Sequence, residues 1–63
     1  MTAREREVIV LLARGYTNPE IARELIITQH TVKIHVEHIL TKLGVSDRTQ
    51  AAVRAIELGL VKR

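Results

Sequence analysis

The chain has no cysteine, tryptophan or phenylalanine, and only one tyrosine, one proline and one methionine in 63 residues. Without cysteine there are no disulfides and no cysteine-based zinc clip, so a small core must be held by helix packing or by a partner subunit. A single aromatic side chain, Tyr16, argues against a surface that stacks single-stranded nucleic acid, which needs several ring faces. The longest unbroken apolar run, Val8 to Ala13, is far short of the ~20 residues of a membrane span. No basic segment leads into a signal-like apolar stretch, and no membrane partner is expected. No nucleophile, base and orienting group cluster in the sequence, and no phosphate-cradling glycine loop is present, so the chain is not expected to be an enzyme.

What is present is charge with a direction. The net charge is +3, yet residues 1–29 hold four Arg and four Glu, which cancel. Residues 30–63 hold six Lys and Arg against three Asp and Glu, together with all three histidines. The basic excess is therefore C-terminal, a mild indication of a polyanionic partner.

Start and stop signals divide the chain into four helices and leave no strand-like alternation. Thr2-Ala3-Arg4-Glu5 and Thr17-Asn18-Pro19-Glu20 have the capping-box form, a hydroxyl at the N-cap and a carboxylate three residues on. Pro19 falls in a first turn, where its missing N–H costs nothing. Thr28 and Asp47 cap two further helices, and Gly15, Gly44 and Gly59 are stops. The expected fold is all-α, a four-helix bundle with helices at about 2–14, 18–26, 29–43 and 48–58, forming one domain over 1–63. The link between the second and third helices is so short that they must cross steeply. That fits a helix-turn-helix that reads DNA, and equally a plain corner in a small bundle.

On the third helix, Val32, Val36, Ile39 and Leu43 form a core stripe within roughly 60°. Opposite them lie His30, Lys33, Ile34, Glu37 and Thr41. If this is a reading helix, Lys33 is placed to donate to guanine O6 and N7, Ile34 to touch a thymine methyl, and Glu37 to accept from cytosine N4. Flanking Thr28, Thr31, His35, His38 and Lys42 would reach phosphates, which position a helix without reading sequence. Each has a plainer alternative as an ordinary surface residue. His35 and His38 stand one turn apart, but a structural zinc site wants four ligands, so neither metal nor other cofactor is expected.

The fourth helix carries two apolar faces, Ala51-Ala55-Leu58 on one side and Thr49-Val53-Ile56-Leu60 nearly opposite. The second face either pairs with its mate in a symmetric dimer, through Thr49, Val53 and Ile56, or folds back onto the domain with Leu60. A protein-binding module using Ile34, Val53 and Ile56 is the alternative to DNA reading.

The residues also match a known pattern. Thr2-Ala3-Arg4-Glu5-Arg6-Glu7-Val8, Leu11-Leu12-Ala13, Gly15, Thr17-Asn18 and Glu20-Ile21-Ala22 resemble the LuxR-type (NarL/FixJ-like) helix-turn-helix domain of bacterial transcription regulators. Thr31-Val32-Lys33-Ile34-His35-Val36, Lys42-Leu43-Gly44-Val45 and Arg48-Thr49-Gln50-Ala51-Ala52 continue the resemblance over nearly the whole chain. It implies a cytoplasmic, nucleoid-associated output domain of a response regulator or ligand-sensing regulator, normally C-terminal in a longer protein. Such a domain binds double-stranded DNA in the major groove as a homodimer, with RNA polymerase a candidate further partner and no small-molecule ligand of its own. By resemblance, His30, Lys33, Ile34 and Glu37 face bases, while Thr28, Thr31, His35, Lys42 and Arg48 lie near the backbone. Thr49, Val53 and Ile56 fall where dimers form. Four positions depart from the pattern: Met1 stands where leucine is often found, Glu37 where basic or polar residues are common, Pro19 where lysine is, and Val10 where polar residues are, which predicts an exposed apolar group at Val10.

Overall fold

A computed structural model describes residues 1–61, and Lys62 and Arg63 lie outside the described residues. Each helix begins where a side chain caps it. Thr2 Oγ1 accepts the Glu5 N–H at 3.1 Å while Glu5 Oε1 accepts the Thr2 N–H at 2.9 Å, closing the box that starts α1 (Ala3–Ala13). The same reciprocal pair joins Thr17 and Glu20 at the start of α2 (Asn18–Leu25), with Pro19 in its first turn. Thr28 and Asp47 accept from the Thr31 and Gln50 N–H groups and open α3 (Gln29–Leu43) and α4 (Arg48–Glu57). In the last of these the reciprocal bond is displaced, because Gln50 Oε1 accepts from Ser46 rather than from the cap residue.

The all-α, four-helix expectation holds, with four ends moved by one residue each. Thr2 is the cap of α1 and not its first residue, Arg14 belongs to the closing turn, and Ile26 and Leu58 are caps. Packing is built on α1, which lies against α3 and α4, while α2 packs on α3. Val8, Ile9, Ile21, Val32, Ile39, Ala51 and Ala55 are completely buried. A fully buried Ile or Val contributes about 2 kcal/mol by leaving water, and these residues draw all four helices into one core measured within 28 × 22 × 19 Å.

Two sequence expectations fail here. Val10 is half-buried and packs on the core, so no apolar group is presented there. Leu58 does not join Ala51 and Ala55 but is 52% exposed. The cause is the way α4 ends: Gly59 takes φ 74°, and the Leu60 N–H reaches back to the Ala55 carbonyl at 2.9 Å. That 6→1 bond turns the chain so that Leu60 and Val61 cover the core in place of Leu58. The face shared by Thr49, Val53, Ile56 and Leu60 is thereby divided. Leu60 and Ile56 pack on the domain itself, whereas Thr49 and Val53 remain exposed.

Candidate nucleic-acid interface

Between α2 and α3 the chain turns within three residues, Ile26, Ile27 and Thr28. The Ile27 N–H bonds the Ala22 carbonyl at 2.9 Å, the same 6→1 closure seen at the end of α4. Where α1, α3 and α4 are followed by a glycine at positive φ, this turn has Ile26, at φ 57° and ψ 50°. Ile27 folds onto the core while Ile26 is 91% exposed. The short link, left open by the sequence between two arrangements, makes α2 and α3 a helix-turn-helix.

From its N-cap, α3 presents two faces. Val32, Val36 and Ile39 are buried, Leu43 is half-buried against the core, and His30, Lys33, Ile34, Glu37 and Thr41 are all exposed on the other side. Lys33 has no carboxylate within ion-pair distance among the described residues. At the N-terminus, the Thr28 and Thr31 hydroxyls lie 2.9 Å apart. Thr41 is less available, since its hydroxyl donates to the Glu37 carbonyl oxygen at 3.1 Å.

The residues expected near phosphate divide in two. Thr28 is exposed, and Thr31 and His35 are half-buried beside it on the N-terminal half of α3. The others are engaged by the protein. Lys42 Nζ lies 2.6 Å from Oε1 of Glu5, and His38 Nδ1 lies 3.7 Å from Oε2 of the same carboxylate. Arg48 donates to Asn18 Oδ1 and, at 2.9 Å, to the Tyr16 carbonyl oxygen. These Lys42 and Arg48 bonds are the side-chain hydrogen bonds that join distant parts of the described chain.

In the sequence Glu5 stands out only as a capping residue, yet among the described residues it is the one buried charged side chain, 3% exposed. Lys42, and then the Thr2 N–H, hold its carboxyl down at about 2 against the opposing effect of burial. Its partner is 37 positions away, and no local pattern announces so distant a pairing. Glu20 is also lowered, by the Thr17 N–H it accepts, as its capping role requires.

On α4, Thr49 and Val53 line a shallow open groove with Val45, Gln50, Arg54 and Glu57. Ile56, the third residue expected in a dimer contact, is half-buried and packs toward the interior. No helix among the described residues is long and apolar enough to cross a membrane.

This arrangement of four helices recurs in the solved structure of the transcription factor GerE, which superposes with a TM-score of 0.90 at 40% identity over 98% of this chain and 92% of that one. Residues 1–55 match the family described as bacterial regulatory proteins, luxR family. The chain belongs to the luxR family. Among curated relatives, the transcriptional regulatory protein LiaR of Bacillus subtilis is 60% identical over 55 residues, which make up 87% of this chain and 26% of LiaR. The response regulator protein VraR of Staphylococcus aureus is 50% identical over 62 residues, 98% of this chain and 30% of VraR. The chain thus spans under a third of the length of these luxR-family relatives.

Proposed function

We propose that this chain is the double-stranded DNA-reading domain of a bacterial transcription regulator, acting in the cytoplasm as the C-terminal output domain of a longer response regulator. The observation that supports this most is the exposed face of α3, where His30, Lys33, Ile34 and Glu37 stand together just beyond a hydroxyl-lined helix start. A helix offers its N-terminal half to base edges in the major groove, and the reading face lies there. Lys33, with its charge uncompensated by any described carboxylate, donates to guanine, and Ile34 meets a thymine methyl. Glu37 accepts from cytosine and repels phosphate, so it adds selectivity while lowering overall affinity.

Thr28, Thr31 and His35 contact phosphate, supported by the N–H groups and dipole at the start of α3. Arg48 keeps N–H groups beyond those given to Asn18 and Tyr16, and His38 has an exposed outer side, so both remain within this phosphate-facing set. Two copies pair through Thr49 and Val53, with Ile56 behind them, and bring their reading helices to successive major grooves.

The test is a binding titration with Lys33→Ala on a preferred duplex and on a scrambled one. The variant should lose roughly 1–3 kcal/mol on the preferred duplex and little on the other. Equal losses on both would make Lys33 a phosphate contact and remove it from sequence reading.

A further inference from the structure

We infer that Glu5 is a positioning residue for DNA reading, whose buried carboxylate takes up Lys42 and fixes the rotation of α3, so that Lys42 works inside the domain and not on phosphate. The inference rests on the DNA-reading function above and concerns how that face is aimed.

Three features carry it. The Glu5 side chain is 4% exposed and its Oε1 already accepts the Thr2 N–H at 2.9 Å, so the capping box holds the carboxylate in place before α3 meets it. Lys42 at 2.6 Å bonds the carboxylate from the C-terminal part of α3, one turn beyond His38, whose ring lies 3.7 Å from the other carboxylate oxygen and makes no hydrogen bond to it. Swinging the Lys42 ammonium out to a phosphate would leave a buried carboxylate without its cation, an arrangement proteins avoid.

Core packing turns one face of α3 inward, and the Lys42 bond adds a directional restraint to it. Val32, Val36 and Ile39 are buried by a force that has no direction, whereas a charge-assisted hydrogen bond is directional. Rolling a helix by about 10° moves a side-chain tip ~6 Å from its axis by about 1 Å. That is enough to lengthen a base-edge hydrogen bond beyond its useful range. Neither Glu5 nor Lys42 needs to touch DNA for its loss to blur what Lys33 and Glu37 read.

The experiment compares the wild-type domain with Glu5→Gln and Lys42→Met in three measurements. These are thermal unfolding, affinity for a preferred and a scrambled duplex, and the dependence of affinity on salt. Lys42→Met leaves the buried Glu5 carboxylate unpaired, so the double variant Glu5→Gln with Lys42→Met, which carries no unpaired charge, decides the matter if a single variant unfolds. The expected result is a loss of about tenfold in preference for the preferred duplex, the scale of one misaligned base contact. The salt slope of Lys42→Met should stay that of wild type. A slope shallower by about 0.9, with equal loss on both duplexes, would make Lys42 a phosphate contact and overturn the inference. Altered melting with unchanged preference would overturn it too, leaving Glu5 as a cap and brace only. A wild-type domain that prefers no duplex removes the DNA reading itself, and the inference with it, before any substitution is compared.

Discussion

The Arg48 guanidinium donates to the Tyr16 carbonyl oxygen at 2.9 Å, joining the first residue of α4 to the turn that links α1 and α2. With its second bond to Asn18, Arg48 satisfies a backbone acceptor in that turn and the side chain that opens α2. Arg48→Met removes both bonds while keeping much of the aliphatic stem. Unfolding free energy should fall by about 1–3 kcal/mol, the value of hydrogen bonds from a charged donor. Urea unfolding monitored by circular dichroism checks this, and an unchanged midpoint would mean that the bonds contribute nothing net.

Acid should reveal the Glu5 pair. Its carboxyl is lowered from 4.5 to about 2 in the folded chain, so the folded state holds fewer protons there than the unfolded one. A depressed carboxyl stabilises the fold above the unfolded value and loses that contribution as pH falls through the folded one. Between about pH 4.5 and 2, wild type should therefore lose stability more steeply than Glu5→Gln. Parallel curves over that window would show the pairing to be weak in solution.

Ile26 is the strained position of the backbone. A β-branched side chain at φ 57° crowds its own carbonyl, and at 91% exposure no burial compensates. Ile26→Gly should stabilise the domain by about 1 kcal/mol, the relief being partly offset by the added freedom of the unfolded chain. The corresponding rise in Tm is roughly 4–8 °C. A lower Tm would show that the turn does not require left-handed backbone in solution.

The proposed pairing through α4 can be tested apart from the proposed reading by α3. Val53 is 52% exposed and lines the groove on α4, so Val53→Glu should leave the fold and single half-site binding intact. On DNA with two half-sites, binding should weaken by roughly tenfold or more, as expected when a glutamate from each copy is left unpaired at the interface. Equal weakening on both DNAs would count against an interface at this face.

The local chemistry of the chain is legible in its sequence. Thr2 with Glu5 and Thr17 with Glu20 announced two helix starts, and both boxes form. The core stripe of α3 and its exposed opposite face followed from helical period alone, because each depends on residues three or four apart. What depended on the path of the chain after a helix was not legible. Leu58 lies on the expected side of α4 by angle, but Gly59 sends Leu60 and Val61 into its place. Ile26 hid a left-handed turn, since an isoleucine gives no signal for one. Lys42 and Arg48 are expected near phosphate from the sequence, and only tertiary packing supplies their partners Glu5, Asn18 and the Tyr16 carbonyl.

The proposed function requires the exposed face of α3 to read sequence in duplex DNA. Selection of bound duplexes from a random pool, over several rounds at moderate salt, tests it most directly. Enrichment of one short half-site, repeated at a fixed spacing, is the result predicted for paired reading helices. A pool that stays random, with binding that vanishes as salt rises, would contradict it and leave only non-specific charge attraction.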